Sequence, residues 1–392
     1  MKIVISMDSF KESLTSLQAG NAVRRGILSV MPDVEALVLP LADGGEGTID
    51  ALVAALGGKT TTARVIGPLG KPVDAVYGII EGRGLAIIEI VQAAGLHLLD
   101  TSERNPMNTT TFGVGELILD ALDRGCREFI VGLGGSATND AGIGMLSALG
   151  FRFNDSAGRL VGVFGRDVGK IHDIDISQAD ERLKSCRFSL ACDVNNPLCG
   201  KNGASAVFGP QKGITPLLID ELDGALLQFS RLTAECVRKD LSWEPGAGAA
   251  GGLGFGFLAY LNASVRRGIE VVMEAVGLEA AVTDADFVIT GEGKLDSQTV
   301  MGKAPHGVAK LAKKHGAAVI AFSGCASESA IVCNSHGIDA YFPILSMPLT
   351  LEEAISVRTA EQTLESMSRQ VFLLIRAIHD KANVTAGNKE KN

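Results

Sequence analysis

Apolar runs and amphipathic segments alternate at both ends of the chain. The β-branched run 2–6 is followed by a segment with helical periodicity over 16–30 and by a second apolar run over 35–41. The same alternation returns from residue 286 onward, where short apolar runs surround a segment with helical periodicity over 305–315. Alternation of this kind is typical of a parallel sheet that is covered by helices.

The middle of the chain has a different pattern. Two β-rich runs, 75–80 and 85–91, are separated by the short Gly-containing segment 81–84, which predicts a hairpin. Strand–loop–helix units follow over 128–149 and 187–200. We therefore expect an α/β fold with a doubly wound, mostly parallel Rossmann/flavodoxin-like domain and a second inserted α/β domain. The first domain is expected from residues 1–60 plus 284–392 and the inserted domain from residues 61–283.

Composition and charge exclude several classes of protein. The 392 residues are 46% hydrophobic with a formal net charge of −9, so a nucleic-acid partner is not expected, because such a partner requires basic faces. The apolar run at the N-terminus is too short for a signal peptide, and no stretch is typical of a membrane span. The seven cysteines form no CxxC pair, which favours reduced thiols and a cytoplasmic protein.

Candidate chemistry lies where predicted strands end, which is where open parallel sheets bind ligands. After the first strand, Asp8 could hold Mg²⁺ and Lys11 could reach a phosphate or carboxylate, although a helix cap and a surface ion pair remain an alternative. In the segment 42–48, Asp43 and Glu46 accompany Gly44 and further glycines. That combination favours a metal ion or substrate hydroxyls over a simple helix cap.

A glycine-rich segment over 132–142 follows a third predicted strand. Its small and hydroxyl residues precede a predicted helix that runs to Leu149, so free amide groups there would form a phosphate cradle. The segment is not a Walker A loop, and tight packing of helix on strand is the alternative. After the strand 188–190, Asp193 offers an oxygen ligand for a metal ion, or it begins a turn before Pro197.

The segment 290–305 has the highest density of chemically capable groups. A predicted strand precedes it and a helix follows, and a surface loop with charges by chance is the alternative. The candidate residues in it are Gly291, Glu292, Lys294, Asp296, Gln298 and Lys303. By contrast, residues 246–251 match GxGxxG without a preceding strand, so the context of a dinucleotide-binding motif fails. Lys212 lies on a predicted turn and has weaker support as a site residue.

Together, these segments resemble the bacterial glycerate kinase family whose N-terminus carries a DSFK motif. The matching motifs are DSFKES at 8–13, ADGGEGT at 42–48, GLGGSATND at 132–140, ACDVNNPL at 191–198, FGPQKG at 208–213, GAGAAGGLG at 246–254, TGEGKLDSQT at 290–299 and GKAP at 302–305. They occur in family order over nearly the whole chain. Two positions depart from the family pattern: Met7 stands where Pro is more common, and Lys294 stands where Arg is common.

The resemblance implies ATP-dependent, Mg²⁺-dependent phosphorylation of D-glycerate in a cleft between two α/β domains, with 2-phosphoglycerate favoured over 3-phosphoglycerate. The hypothetical roles are then assigned by residue. Asp296 is the first candidate for the general base and Asp8 the second, with Lys11 and Lys303 pairing with the substrate carboxylate and the transferred phosphoryl group. The expected ATP contacts are Gly134, Gly135, Ser136, Thr138, Gly291, Glu292 and Lys294. The expected substrate contacts are Asp43, Gly44, Glu46 and Gln298, and the expected Mg²⁺ ligands are Asp193 and Asp43.

Two other functions remain open at this point. One is an NAD-dependent dehydrogenase of hydroxy acids, which the GxGxxG match alone supports. The other is a non-catalytic protein that binds small acids, which would share the glycine-rich segments but has no use for so many acid–lysine clusters. The expected partner in each case is a small molecule, with no membrane partner, and a homo-oligomer is possible.

Overall fold

The computed structural model describes the backbone of residues 1–389 and the side chains of residues 1–381. The strands are β1 Lys2–Ile5, β2 Glu35–Val38, β3 Lys59–Ile66, β4 Pro72–Ile80, β5 Leu85–Glu89, β6 Glu128–Gly132, β7 Arg152–Asn154, β8 Asp173–Asp175, β9 Arg187–Ala191, β10 Ser264–Arg266, β11 Phe287–Leu295, β12 Ala318–Ala326 and β13 Ala340–Pro343. The α-helices are α1 Ser16–Leu28, α2 Thr48–Leu56, α3 Val91–Ala94, α4 Phe112–Asp123, α5 Ile143–Ala148, α6 Ala204–Phe208, α7 Pro216–Val237, α8 Ala249–Tyr260, α9 Gly268–Ala275, α10 Leu278–Val282, α11 Ala304–Lys314, α12 Leu351–Ile355 and α13 Val357–Lys389.

The chain divides into two compact units. The first unit contains Met1–Asp43 and the chain from Val272 onward, and the second contains Gly44–Val271. The sequence analysis instead placed the domain boundaries after residue 60 and before residue 284. Helix α2 explains the first difference, because it packs on β4 and β5 of the second unit. Strand–helix alternation alone does not specify which of two sheets a helix will cover.

The first unit has a parallel sheet in the order β2-β1-β11-β12-β13. Counted within this unit, that is the flavodoxin-like order 2-1-3-4-5, which confirms the predicted doubly wound class. Helices α1 and α13 pack against each other, and their apolar side chains cover the core formed by Ile3, Ile5 and Phe322. The order reverses between β1 and β11, and ligands bind at such a switch point in doubly wound sheets.

The second unit has a six-stranded sheet in the order β10-β9-β6-β5-β4-β3. Strands β10, β9, β6 and β5 run parallel, whereas β4 is antiparallel to both of its neighbours. The predicted hairpin is therefore confirmed as β4 and β5. The core of this unit includes a stack of Phe129 on Phe188, with ring centroids 4.6 Å apart, and Phe257 packs against Phe188. The carboxyl ends of four parallel strands consequently meet at one edge of this sheet.

Strand β11 is longer than expected. The sequence predicted that the strand ends at Thr290 and that a loop begins there. Instead, residues up to Leu295 pair in register with β12, so that Gly291 lies opposite Phe322 and Lys294 lies opposite Cys325. The neighbouring strand continues equally far, and its backbone supplies the hydrogen-bonding partners that keep the segment extended.

Candidate active site

Two sets of chemically capable residues lie at the carboxyl ends of parallel strands, one set in each unit. In the first unit, the carboxylates of Asp8, Asp43 and Glu292 form a group that we call the acidic cluster. Asp8 follows β1, and Glu292 lies in the outer half of β11. The amide of Asp8 donates to the carbonyl of Gly291 at 2.9 Å. That hydrogen bond joins the two strands at the switch point of the sheet.

Asp8 is the most perturbed carboxyl of the acidic cluster. Burial, the neighbouring charge of Asp43 and that of Glu292 raise the pKa of Asp8 to about 7, and the Ser9 amide and the charge of Lys11 only partly oppose them. The amide of Ser9 donates to Asp8 Oδ1 at 2.7 Å, which fixes the direction of the carboxylate. A carboxyl that titrates near neutral pH is suited to accept and release a proton.

Glu292 is buried and has fixed partners. Its side chain accepts a hydrogen bond from the hydroxyl of Thr299 at 2.7 Å and pairs with Lys303 Nζ at 3.3 Å. Burial raises the pKa of Glu292, and the contacts with Thr299 and Lys303 oppose that rise. Lys303 occupies the N-cap position of α11. The pair therefore places a positive charge beside the acidic cluster.

Asp296 lies in a different environment. Its Oδ1 accepts the amide of Gln298 at 2.9 Å, and its Oδ2 lies 3.4 Å from Lys294 Nζ. Burial raises the pKa of Asp296, but the Gln298 amide and the charges of Lys303 and Lys294 together lower it below its ordinary value. A carboxylate that is stabilised in this way is a weak base. The structure therefore favours Asp8 over Asp296 as the proton acceptor, which reverses the order that the sequence predicted.

The remaining predicted site residues of the first unit differ in their exposure to solvent. Lys11, Lys294 and Gln298 are exposed and available to a ligand. Gly291 is buried, and a Cβ atom at its position would lie 1.9 Å from the carbonyl oxygen of Phe322. Glycine at this position is therefore explained by the close approach of β12. The predicted contact between Gly291 and ATP receives no support from that geometry.

In the second unit, several predicted segments meet at the carboxyl edge of the sheet. Gly44 has a left-handed φ of +88°, and a Cβ atom at its position would lie 2.7 Å from Cβ of Ala191. At Gly132 a Cβ atom would lie 2.4 Å from the carbonyl oxygen of Gly44. Close packing of these segments explains the glycines. Glu46, by contrast, is exposed at the same edge.

The 134–138 loop follows β6. Gly134 and Gly135 are exposed, whereas Ser136 and Thr138 are buried, and the Thr138 hydroxyl has no hydrogen-bonding partner among the described residues. A ligand could therefore approach this loop through the backbone of its two glycines. Direct contact with the Thr138 side chain, which the sequence analysis expected, would require the loop to move.

The expected helix N-terminus beside this loop is already occupied. Helix α5 begins only at Ile143, and the carboxylate of Asp140 accepts the amides of Gly142 and Gly144 at 3.1 and 3.3 Å. Asp140 also accepts the amide and the hydroxyl of Thr111, each at 2.8 Å. A buried carboxylate thus already satisfies the amides at this helix N-terminus, and the phosphate site expected in the segment 132–142 stays a prediction.

Asp193 lies at the end of β9. It is exposed, and its Oδ1 accepts the amide of Gly268 at 3.1 Å. Among the described residues, no group of three or more His, Cys, Asp or Glu side chains is arranged to hold a metal ion. Mg²⁺ in kinases is usually held by one or two carboxylates together with substrate phosphates. The exposed carboxylate of Asp193 fits that role, whereas the described residues do not form a site that would hold Mg²⁺ with protein ligands alone.

Three basic residues of the second unit were missed or underrated at the sequence level. Lys212 is 2% exposed and donates to both Ser136 and Thr138 of the 134–138 loop. Arg266 ends β10, and Arg267 follows it as an exposed residue at the same edge as Asp193. In the sequence, the pair Arg266-Arg267 before Gly268, at the end of a short strand, could have indicated that these arginines lie at the carboxyl edge of the sheet.

The GxGxxG match has a structural explanation. Residues 246–251 are buried, and they form a turn and the irregular start of α8, where Ala250 and Gly251 have left-handed φ values, with no strand before them. The carbonyl of Gly251 accepts the amide of Ala141 at 3.0 Å, so the segment supports the backbone beyond the 134–138 loop. The dehydrogenase alternative is therefore not supported.

No helix of the described residues is long and apolar enough to cross a membrane.

Comparison with known proteins assigns this architecture to a class. The model of the glycerate kinase family matches residues 3–376. A glycerate kinase of Bacillus subtilis is 47% identical over 376 residues, which cover 96% of this chain and 98% of the relative. A glycerate 2-kinase of Escherichia coli K12 is 46% identical over 354 residues, which cover 90% and 93% of the two chains.

A solved structure agrees with these matches. A crystal structure described as glycerate kinase 2 of Salmonella typhimurium LT2 superposes with a TM-score of 0.90 at 45% identity, covering 97% of this chain and 99% of that one. The fold and the matches place the chain among the kinases. The chain belongs to the glycerate kinase family, and the alternative of a non-catalytic binding protein is not supported.

Proposed function

We propose that the protein transfers the γ-phosphoryl group of ATP to the 2-hydroxyl of D-glycerate, with Mg²⁺, and so forms 2-phosphoglycerate and ADP. The observation that carries this proposal is the environment of Asp8, a half-buried carboxyl with a pKa of about 7, which interacts with the charges of Lys11, Asp43 and Glu292. Family membership supports glycerate as the acceptor. The name of the Escherichia coli relative, a glycerate 2-kinase, supports the 2-position.

In this proposal Asp8 is the general base. Its carboxylate takes the proton of the attacking hydroxyl group while the hydroxyl oxygen forms a bond to the γ-phosphorus atom. The bond from that phosphorus to the bridging oxygen breaks, and ADP leaves with the electron pair. A positioned base contributes about 10²- to 10⁴-fold to the rate. Lys11, which is exposed beside Asp8, is the proposed partner of the glycerate carboxylate.

Lys303 has a separate proposed role. Its ammonium group is already beside Glu292 at 3.3 Å, so it can approach the transferred phosphoryl group without leaving a buried acid unpaired. Loss of that pair would leave the carboxylate of Glu292 buried without its cation, which is costly. Asp43 is proposed to orient the substrate hydroxyls and to keep the pKa of Asp8 near neutral through its charge.

The 134–138 loop is the proposed contact for the ATP phosphates. The exposed backbone of Gly134 and Gly135 permits close approach, and amide groups of such loops bind phosphate oxygens. Mg²⁺ would neutralise charge on the β- and γ-phosphates when bound. Asp193 is the proposed carboxylate ligand, and Arg267 is the proposed additional contact for the phosphates because it is exposed at the same edge.

A coupled assay of ADP formation tests the proposal. Purified protein with Mg-ATP is expected to release ADP only when D-glycerate is added, and glycerol, which lacks the carboxylate, is the matched negative control. Asp193→Asn is expected to raise the Mg²⁺ concentration that gives half-maximal rate. Equal ADP release without glycerate would reject the acceptor, and an unchanged Mg²⁺ requirement would reject the role of Asp193.

A further inference from the structure

Lys212 is a fully buried cation that the proposed reaction does not use. It lies at the end of a 3-10 turn, Pro210–Lys212, and is 2% exposed. Its Nζ donates to Ser136 Oγ at 2.9 Å and to the carbonyl oxygen of Thr138 at 2.6 Å. Both acceptors belong to the 134–138 loop, and they lie on its buried side. One ammonium group therefore links two points of the loop.

The segment that carries Lys212 contacts the loop region a second time. Ser205 of α6 accepts a hydrogen bond from the side-chain amide of Asn139 at 3.0 Å. The amide of Lys212 donates to the carbonyl of Gly209 at 2.9 Å, which closes the turn that orients the side chain. These three hydrogen bonds join the loop region to residues that lie 66, 74 and 76 positions later in the chain. The buried side of the loop is therefore supported by a distant segment.

The loop does not satisfy its own polar groups. Thr138 Oγ1 and Asn139 Oδ1 are buried without a hydrogen-bonding partner among the described residues. Just beyond them, Ala141 has a left-handed φ of +52°. Each unsatisfied group and each such backbone conformation costs about 1–3 kcal/mol. External support is therefore required to hold this conformation, and Lys212 supplies two of the hydrogen bonds.

Burial of Lys212 is itself unfavourable. Desolvation lowers the pKa of Lys212 to about 7, although the charge of Asp140 acts in the opposite direction. A methionine of similar length would fill the same space without that cost. A buried charge kept at such a cost requires an explanation, and the two hydrogen bonds of Lys212 to the loop offer one. The loop itself contains no lysine or arginine, and Lys212 brings a positive charge into contact with it.

We propose that Lys212 is a positioning residue that holds the 134–138 loop in the conformation that binds the phosphates of ATP. The identity of the ligand in this inference rests on the proposed function, whereas the contacts between Lys212 and the loop are independent of it.

The test compares Lys212→Met and Lys212→Gln with wild type, with Lys201→Met as the control, since Lys201 is an exposed lysine of the same unit. We expect KM for Mg-ATP to rise at least tenfold in Lys212→Met and less in Lys212→Gln, which retains a donor. KM for glycerate should change less than twofold in all three variants. A rise of both KM values together, or of neither, would overturn the proposal.

Two further measurements keep the test decisive. In the double variant Lys212→Met with Ser136→Ala, the effects on KM for Mg-ATP should be non-additive, because the second change removes an acceptor whose donor is already absent. Hydrogen exchange of peptides that span 134–140 should be at least tenfold faster in Lys212→Met, with no change in β11 and β12. Unchanged exchange would overturn the proposal about Lys212, whether or not the wild type is active. Absence of glycerate-dependent ADP formation in the wild type would reject only the proposed function. If the Lys212 variants do not fold, Ser136→Ala alone must raise exchange in 134–140, and unchanged exchange is the contrary result.

Discussion

The amide of Asp8 donates to the carbonyl of Gly291 at 2.9 Å. That contact holds the residue after β1 against the middle of β11, where the order of the parallel sheet reverses. It explains why two segments almost 300 positions apart contribute carboxylates to one cluster. The side chain of Asp8 is held near Asp43 and Glu292, and the proximity of like charges together with burial keeps its pKa near neutral.

The first prediction concerns catalysis by Asp8. Asp8→Asn should lower kcat by about 10²- to 10⁴-fold because the attacking hydroxyl loses its proton acceptor. In wild type, kcat/KM should rise about tenfold per pH unit below pH 7 and become constant above it, since only the deprotonated carboxylate acts as a base. Asp296→Asn should lower kcat by only a few-fold, and Asp284→Asn, at an exposed position, is the control. A larger loss in Asp296→Asn than in Asp8→Asn would reverse the assignment.

The second prediction concerns stability at the same residue. The pKa of Asp8 is raised from 3.8 to about 7 in the folded state, so between those values the folded protein binds more protons than the unfolded chain. Stability therefore falls as pH rises through this window. Asp8→Asn removes the penalty and should raise the free energy of unfolding by about 2 kcal/mol at pH 8, after allowance for partial exposure.

Urea unfolding of wild type and Asp8→Asn at pH 8 and pH 4, without divalent ions, measures this difference. The gain should shrink to a small remainder at pH 4, because the Asp8 side chain of the folded wild type is then protonated and uncharged. A variant that is less stable than wild type at pH 8 would show that the Asp8 charge is not unfavourable in the folded protein.

The third prediction concerns Asp140. Its carboxylate accepts four hydrogen bonds, from Thr111, Gly142 and Gly144, and it joins the N-terminal ends of α4 and α5. Asp140→Ala should lower the free energy of unfolding by about 3 kcal/mol or more, because it leaves buried amides without an acceptor. Asp220→Ala, an exposed change in α7, should alter it by less than about 0.5 kcal/mol. Equal urea midpoints for the two variants would contradict the account of Asp140.

The fourth prediction concerns the free thiols. Cys325 is exposed, whereas Cys126, Cys192, Cys199 and Cys333 are buried. Burial raises the pKa of the Cys199 thiol to about 12, and it also raises that of the other three buried thiols. In the native protein at pH 8, a thiol reagent should show one fast phase, which Cys325→Ser abolishes. Cys186 and Cys236 are half-buried, so a fast phase that persists in that variant would show that one of the half-buried or buried cysteines is accessible.

Much of this architecture follows from local sequence pattern. The alternation around 2–6 and 16–30 predicted β1 and α1, and the Gly-containing segment 81–84 predicted the turn between β4 and β5. These features depend on periodicity and turn chemistry within a few residues. The grouping of Asp8 with Glu292 also follows from a general rule, since carboxyl ends of parallel strands meet at one edge of a sheet.

Other features depend on contacts between distant segments. The sequence ranked Asp296 before Asp8 because it carried no information on burial or on neighbouring groups. In the structure burial raises both pKa values, but hydrogen bonds and lysine charges outweigh it at Asp296, so the net shifts have opposite directions. Lys212 resembled a surface lysine on a turn, and only the packing of α6 and the 134–138 loop reveals that it is buried. The unit to which α2 belongs was likewise decided by packing on β4 and β5.

Identification of the product tests the central claim most directly. Phosphorus and carbon NMR of a reaction that contains D-glycerate, Mg-ATP and the protein should show a single new phosphate ester, coupled to the carbon at position 2. Formation of 2-phosphoglycerate in equal amount to ADP is the predicted result. A phosphate ester on the 3-hydroxyl would contradict the proposed position, and no ester in the presence of a folded protein would contradict the proposed reaction itself.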